Sequence, residues 1–217
     1  MSYNRCVIFD LDGVLVHTDR FHEESWRAIA RAEGIEFEPS WPARLRGVDR
    51  MRSLDIILER AQRVYTMAER EVLAARKNTL YLRAIESITP SDLAPGASEL
   101  LSALRHRGFR IAIASSSRNA RALIDRLGLR PLIDAVADGN DAAPAKPDPA
   151  LFLLAARRAG VPPNRCAVIE DAPAGVLAAQ RAGMKVFLLG SATERGGADA
   201  TAPDLAAISP DDLRMAP

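Results

Sequence analysis

The sequence predicts an α/β protein, a doubly wound parallel sheet with an inserted α-helical cap domain, and three observations predict it. Short apolar runs recur along the chain, each ending in polar residues or glycine, as buried strands do where they break into loops. Helical patterns stopped by glycine lie between those runs, which implies parallel strands joined by helical crossovers. The stretch from His17 to Pro90 breaks this alternation, with Arg, Glu, Ala and Leu at helical spacing and no strand.

Taken in order, Cys6-Val7-Ile8-Phe9 is a strand that ends in Asp10, and Gly13 opens the loop beyond it. Leu15 to Thr18 leads into the helical stretch, and Thr89-Pro90-Ser91-Asp92 with Pro95-Gly96 leads out of it, both with the composition of hinges. Residues 1–16 and 91–217 are therefore expected to form the sheet domain and 17–90 the cap. Ala97 to Arg107 is a helix stopped by Gly108, and Phe109 to Ala114 is a strand leading into Ser115-Ser116-Ser117. Ala120 to Leu127 is a helix, and Ala135-Val136-Ala137 a strand running into Asp138-Gly139. Pro149 to Ala159 is a helix, and Ala167-Val168-Ile169 a strand running into Glu170-Asp171. Gly175 to Ala182 and Val186 to Leu189 form a last helix and strand, and a short strand is expected near Ala198 to Ala202. In such sheets ligands bind beyond the carboxyl ends of the strands, so these polar tails should converge on one crevice.

A chain of 217 residues can bury a sizeable core, and 48% hydrophobic with 26% charged residues favours neither a disordered nor a fibrous class. The formal net charge of +1 supplies no field that would draw the chain onto nucleic acid or an anionic membrane, so any phosphate recognition has to be local. Met1 to Arg5 is short and polar and the apolar run after it is interrupted by Asp10, which reads as neither a signal peptide nor a spanning segment. A cytoplasmic protein is expected. Cys6 and Cys166 each open an apolar run and read as buried core thiols rather than a disulfide or a metal pair.

Asp10 and Asp12 stand two residues apart at a strand end, which lets the chain aim two carboxylates into one crevice; the alternative is a pair of capping carboxylates on a tight turn. Like charges in a partly dry site raise each other's pKa or demand a cation, and Glu170-Asp171 adds a second acidic pair at another strand end. Mg2+ takes oxygen ligands and suits carboxylates from Asp10 and Asp171 with the backbone carbonyl at Asp12, Glu170 completing the acidic set.

The chain resembles the haloacid dehalogenase superfamily of phosphoryl-transfer enzymes, which have a Rossmann-like core. The resemblance rests on Asp10-Leu11-Asp12-Gly13, Ser115 after the second apolar run, Lys146 before Pro147-Asp148, and Glu170-Asp171-Ala172 with Gly175, all in order. It implies that Asp10 attacks phosphorus and becomes an acyl phosphate while Asp12 moves the proton, with Mg2+, Lys146 and Ser115 offsetting the charge on the equatorial oxygens. From Arg5 to about Leu189 the chain is further similar to the members that convert beta-glucose 1-phosphate to glucose 6-phosphate. The motifs that carry this are Phe21-His22 with Trp26, Leu45-Arg46-Gly47-Val48-Asp49-Arg50, Arg76-Lys77-Asn78 with Tyr81, and Ser115-Ser116-Ser117-Arg118-Asn119.

That resemblance implies that Arg50, Ser117 and Asn119 hold the phosphate that is not transferred, the last two where a helix begins and backbone N–H groups are free. It implies that Lys77 contacts the sugar and that His22 couples the hinge to Asp12, with Trp26 and Gly47 among the substrate-binding residues. Bland alternatives stand beside these roles: an exposed helical charge for Lys77, a structural histidine for His22, a solvated lysine for Lys146, and a solvent-facing side chain for Arg118. Two departures from the family pattern are His17, where a carboxylate is customary, and Ala172-Pro173 in place of a hydroxyl residue. The expected protein is a monomer acting on a phosphorylated sugar, without nucleic-acid or membrane partners, whose cap excludes water from the phosphoaspartate. A sugar-phosphate or small-metabolite phosphatase is the alternative enzyme, and a catalytically silent binding protein the alternative of another class.

Overall fold

The computed structural model describes residues 5–46, 48–141, 144–190 and 196–213. In chain order its elements are β1 (Cys6–Phe9), α1 (Asp19–Ala32), α2 (Trp41–Leu45), α3 (Arg50–Leu58), α4 (Met67–Ala84), α5 (Ala97–His106), β2 (Arg110–Ala114), α6 (Ala120–Arg126), β3 (Ala135–Ala137), α7 (Ala150–Ala159), β4 (Cys166–Glu170), α8 (Pro173–Arg181), β5 (Lys185–Leu189) and β6 (Ala200–Ala202). Contacts divide the chain into two compact units, one of Met1–His17 and Ile88–Pro217, the other of Thr18–Ser87.

The first unit holds a parallel sheet in the order β3-β2-β1-β4-β5-β6. Strands β1 and β4 are buried throughout, which explains why they read as continuous apolar runs rather than alternating ones. One set of alternate residues, Cys6, Ile8, Ala112, Ala114, Val168 and Val186, packs with the inner faces of α7 and α8. Their neighbours Val7, Phe9, Ile111, Ile113 and Ile169 point to the opposite face and are buried too.

Where bounds differ from the expected ones, backbone hydrogen bonding gives the reason. Phe109 is not in β2, because its N–H closes the end of α5 on Leu104 O at 3.0 Å. Helix α8 begins earlier than the apolar pattern suggests, at Pro173, whose missing N–H costs nothing in the first turn. Cys6 and Cys166 face each other across β1 and β4 as free, buried thiols. Hydrogen bonding with Cys166, then burial, pushes the Cys6 thiol well above its ordinary range, away from the reactive thiolate.

The second unit is helical. Trp26, Ile29 and Ala30 of α1, Leu54 and Ile57 of α3, and Leu73 and Ala74 of α4 form its core with Trp41. Two helix starts are capped as elementary chemistry requires. Asp49 accepts from the N–H groups of Met51 at 2.9 Å and Arg52 at 3.1 Å, and Thr66 with Glu69 forms a capping box. None of the described helices is long and apolar enough to cross a membrane.

Candidate active site

The strand order reverses between β1 and β4, which places a crevice beyond their carboxyl ends. Asp10 follows β1 and its N–H still donates to Ile169 O at 3.0 Å, so its backbone is held by the sheet. Glu170 is the last residue of β4. Lys146 donates to Asp10 Oδ1 at 2.5 Å and also to Glu170 Oε1, with its side chain 1% exposed. The other Glu170 oxygen accepts from the N–H groups of Asp171 at 2.9 Å and Ala172 at 3.0 Å. Lys146 is fixed from below as well: its ammonium lies 4.8 Å from the centre of the Phe152 ring, and Asp148 accepts from Ala150 N–H at 2.8 Å at the start of α7. A solvated lysine is thereby excluded.

The backbone leaves room for these carboxylates only because glycine stands beside them. A Cβ at Gly175 would overlap the Glu170 carboxylate, and one at Gly13, which has φ +88°, would overlap that of Asp171.

Ligand oxygens of Asp10, Glu170 and Asp171 lie within 4.8 Å of one another. Burial pushes the Asp10 carboxyl well above its usual range; Lys146 pulls it down, and Glu170, Asp171 and Asp12 push it up further. For Lys146, burial alone would depress the ammonium, but the charges of Asp10 and Glu170 outweigh this and raise its pKa. With Asp12, four carboxylates share this neighbourhood and Lys146 offsets one charge, so excess negative charge remains. An all-oxygen donor set with uncompensated negative charge fits a hard divalent cation, whose charge would pull the Asp10 pKa down.

Ser115 Oγ donates to Asp12 Oδ2 at 3.3 Å. Ser115 Oγ also accepts from Ser117 N–H at 3.1 Å, and Ser117 Oγ accepts from Asn119 N–H at 3.2 Å. This corrects the expectation that these two backbone N–H groups are free: in a loop of serines the hydroxyls satisfy them locally. Arg118 is exposed, while Ser117 and Asn119 are half-buried.

In the helical unit, Lys77 is 3% exposed, so the exposed-charge alternative falls. Its ammonium lies 2.8 Å from His22 Nδ1, 4.6 Å from the Tyr81 ring centre and 5.2 Å from that of Trp26. The pairs His22/Trp26 and Lys77/Tyr81 are each one helical turn apart, so two facing turns of α1 and α4 enclose the ammonium. Trp26, at 2% exposure, belongs to the core beneath it. Arg50, the first residue of α3, donates to Asn78 Oδ1 at 2.8 Å. Gly47 lies outside the described residues. Tyr81, which carries the resemblance together with Arg76-Lys77-Asn78 but has no role implied by it, is fully buried with its ring 4.1 Å from that of His22.

Residues 4–183 match the family model of haloacid dehalogenase-like hydrolases. The chain is 42% identical over 197 residues to a beta-phosphoglucomutase of Bacillus subtilis (strain 168), covering 90% of this chain and 87% of that one. It is 33% identical over 181 residues to a fructose-1-phosphate phosphatase of Escherichia coli (strain K12), covering 82% and 92%. Among solved structures, a beta-phosphoglucomutase from Clostridium difficile superposes with a TM-score of 0.92 at 32% identity, covering 96% of this chain and 95% of that one.

Proposed function

The chain belongs to the haloacid dehalogenase-like hydrolases, and on that premise we propose that it is a beta-phosphoglucomutase, interconverting beta-glucose 1-phosphate and glucose 6-phosphate through a phosphoaspartate. An Asp10 carboxylate oxygen forms the bond to phosphorus in line with the departing oxygen, the ester P–O bond breaks, and Asp12 gives its proton to the leaving oxygen. The second half-reaction runs in reverse on the 6-hydroxyl: Asp12 takes its proton, the new P–O bond forms, and the Asp10 carboxylate is released. The sugar 1,6-bisphosphate produced turns over, and Asp10 recovers the anomeric phosphate.

Lys146 holds Asp10 and Glu170 in place and offsets negative charge as the phosphoryl group passes. Ser115 orients Asp12. Asp10 and Asp171, with the backbone carbonyl of Asp12 and with Glu170 beside them, are the residues to hold Mg2+, which when bound supplies Lewis-acid stabilisation of the phosphoryl oxygens. We assign Arg50, Ser117, Arg118 and Asn119 to the phosphate that is not transferred, and Lys77 and His22 to the sugar. In this reading the protein acts in the cytoplasm, as a monomer, on phosphorylated sugars.

The observation that carries phosphoryl transfer is the buried Lys146 bridging Asp10 and Glu170 beyond the ends of β1 and β4. The sugar acceptor is supported by the higher identity to the Bacillus mutase than to the Escherichia phosphatase. The phosphatase relative favours a second reading in which water accepts the phosphoryl group. A coupled assay with beta-glucose 1-phosphate, Mg2+ and a trace of glucose 1,6-bisphosphate decides between them: a mutase forms glucose 6-phosphate faster than inorganic phosphate, and a phosphatase does the opposite.

A further inference from the structure

We infer that the turn at the end of β3, Asp138-Gly139-Asn140-Asp141, is the positioning device for the phosphate-anchoring segment Ser116–Asn119, with Gly139 and Asn140 as its two points of action. This rests on the assignment of Ser117 and Asn119 to the phosphate that is not transferred.

The contact between turn and loop is direct and made of backbone. Gly139 N–H donates to Ser117 O at 3.2 Å, and Asn140 Nδ2 donates to Arg118 O at 2.8 Å. A Cβ at Gly139 would run into Ser116 O, with Arg118 N 2.9 Å and Ser117 C 3.0 Å away. Gly139 does not have a left-handed φ, so the demand for glycine here comes from closeness to the loop rather than from backbone conformation. Three consecutive loop residues, Ser116, Ser117 and Arg118, thus lie directly against two turn residues.

The turn is itself rigid. Asp138 N–H donates to Asp141 Oδ2 at 2.9 Å, Asn140 N–H donates to Asp138 Oδ1 at 2.9 Å, and Asp141 N–H donates to Asp138 O at 2.9 Å. Arg158 on α7 grips both Asp141 oxygens, at 2.6 and 2.7 Å, and Val136 O at 2.7 Å. Arg121 on α6 lies 2.8 Å from the second oxygen of the fully buried Asp138 side chain. These bonds serve no step of the chemistry at Asp10, yet they hold a template against the one loop whose polar groups are assigned to phosphate. Bidentate arginine and a buried carboxylate fix geometry to a few tenths of an ångström, which anchoring a phosphate requires.

Because the turn is bonded to the carbonyls of Ser117 and Arg118, whereas the backbone of Ser115, which orients Asp12, is held by Ala137 O at 3.1 Å, the readouts at the anchor and at the reacting centre are separable. Acetyl phosphate can phosphorylate Asp10 but carries no second phosphate. Asn140→Ala and Gly139→Ala should leave the turnover of acetyl phosphate within about twofold of the unaltered enzyme. They should raise KM for beta-glucose 1-phosphate by about tenfold, the loss expected from one well-placed hydrogen bond, with kcat changed less. Glucose 1,6-bisphosphate binding, followed by calorimetry, should weaken in parallel. Equal losses on both substrates would mean general damage to the sheet and would overturn the inference, as would an unchanged KM in Asn140→Ala. If the unaltered enzyme binds the bisphosphate but does not isomerise beta-glucose 1-phosphate, the proposed reaction falls, and the weakening of bisphosphate binding in the variants still decides the role of the turn. No bisphosphate binding in the unaltered enzyme would overturn it.

Discussion

Replacing Lys146 by methionine removes the ammonium shared by Asp10 and Glu170 while keeping an apolar stem against Phe152. Lys146 and Glu170 have side chains 1% exposed and Asp10 is 11% exposed, so the change leaves two carboxylates without their cation in a dry site. Breaking a buried ion pair from one side costs about 3–5 kcal/mol, a large part of the roughly 5–15 kcal/mol that separates folded from unfolded chains. With a urea m-value of about 2 kcal/mol/M, the unfolding midpoint in EDTA should fall by about 2 M. Adding Glu170→Gln should restore most of this. The glutamine carbonyl can still accept from the N–H groups of Asp171 and Ala172, and its NH2 can face Asp10. Activity should behave differently: Lys146→Met should lower kcat at least about 100-fold, and the double variant should not recover it, because the charge facing the phosphoryl group is still missing. A single variant that unfolds at the unaltered enzyme's urea concentration would refute the electrostatic reasoning, and a double variant that regains turnover would refute the catalytic part.

Gly175→Ala should displace the Glu170 carboxylate and with it Lys146, lowering kcat by about 100-fold; circular dichroism checks that the fold survives. Lys77→Met should raise KM for beta-glucose 1-phosphate by about tenfold or more and leave acetyl phosphate hydrolysis unchanged, read in parallel steady-state assays. Asp134 accepts from Arg105 at 2.8 Å, Arg110 at 2.6 Å and Ile111 N–H at 2.8 Å. Burial alone would raise its pKa, but the Ile111 N–H and the two guanidinium groups hold it below the ordinary value. A carboxyl depressed by folding stabilises fully above its unfolded pKa and loses that contribution as pH falls through the folded one. Asp134→Asn should therefore cost about 2 kcal/mol at pH 7 and progressively less below about pH 4, measured by urea unfolding across that range.

What the sequence disclosed follows the range of the interactions involved. The strands were legible because burial on both faces makes them uniformly apolar, and Asp10, Ser115 and Glu170 were legible because each stands where such a run stops. The burial of Lys77 was not, since it depends on α1 packing against α4 across some fifty residues of chain, and a lone lysine on a helix otherwise reads as solvated. The N–H groups of Ser117 and Asn119 are not left free as a helix start alone suggests, because the run of serines also offers acceptors and the nearby hydroxyls take them. The bracing of the anchoring loop by Gly139 and Asn140 is a contact between two strand ends, visible in one dimension only as a turn signature after β3.

Borohydride quenching of the enzyme during turnover, followed by peptide mapping, tests most directly whether a carboxylate at the tip of β1 carries the phosphoryl group. An acyl phosphate on Asp10 should be reduced to homoserine at that position, and the label should vanish in Asp10→Asn. Homoserine at another residue, or undiminished turnover in Asp10→Asn, would contradict the account.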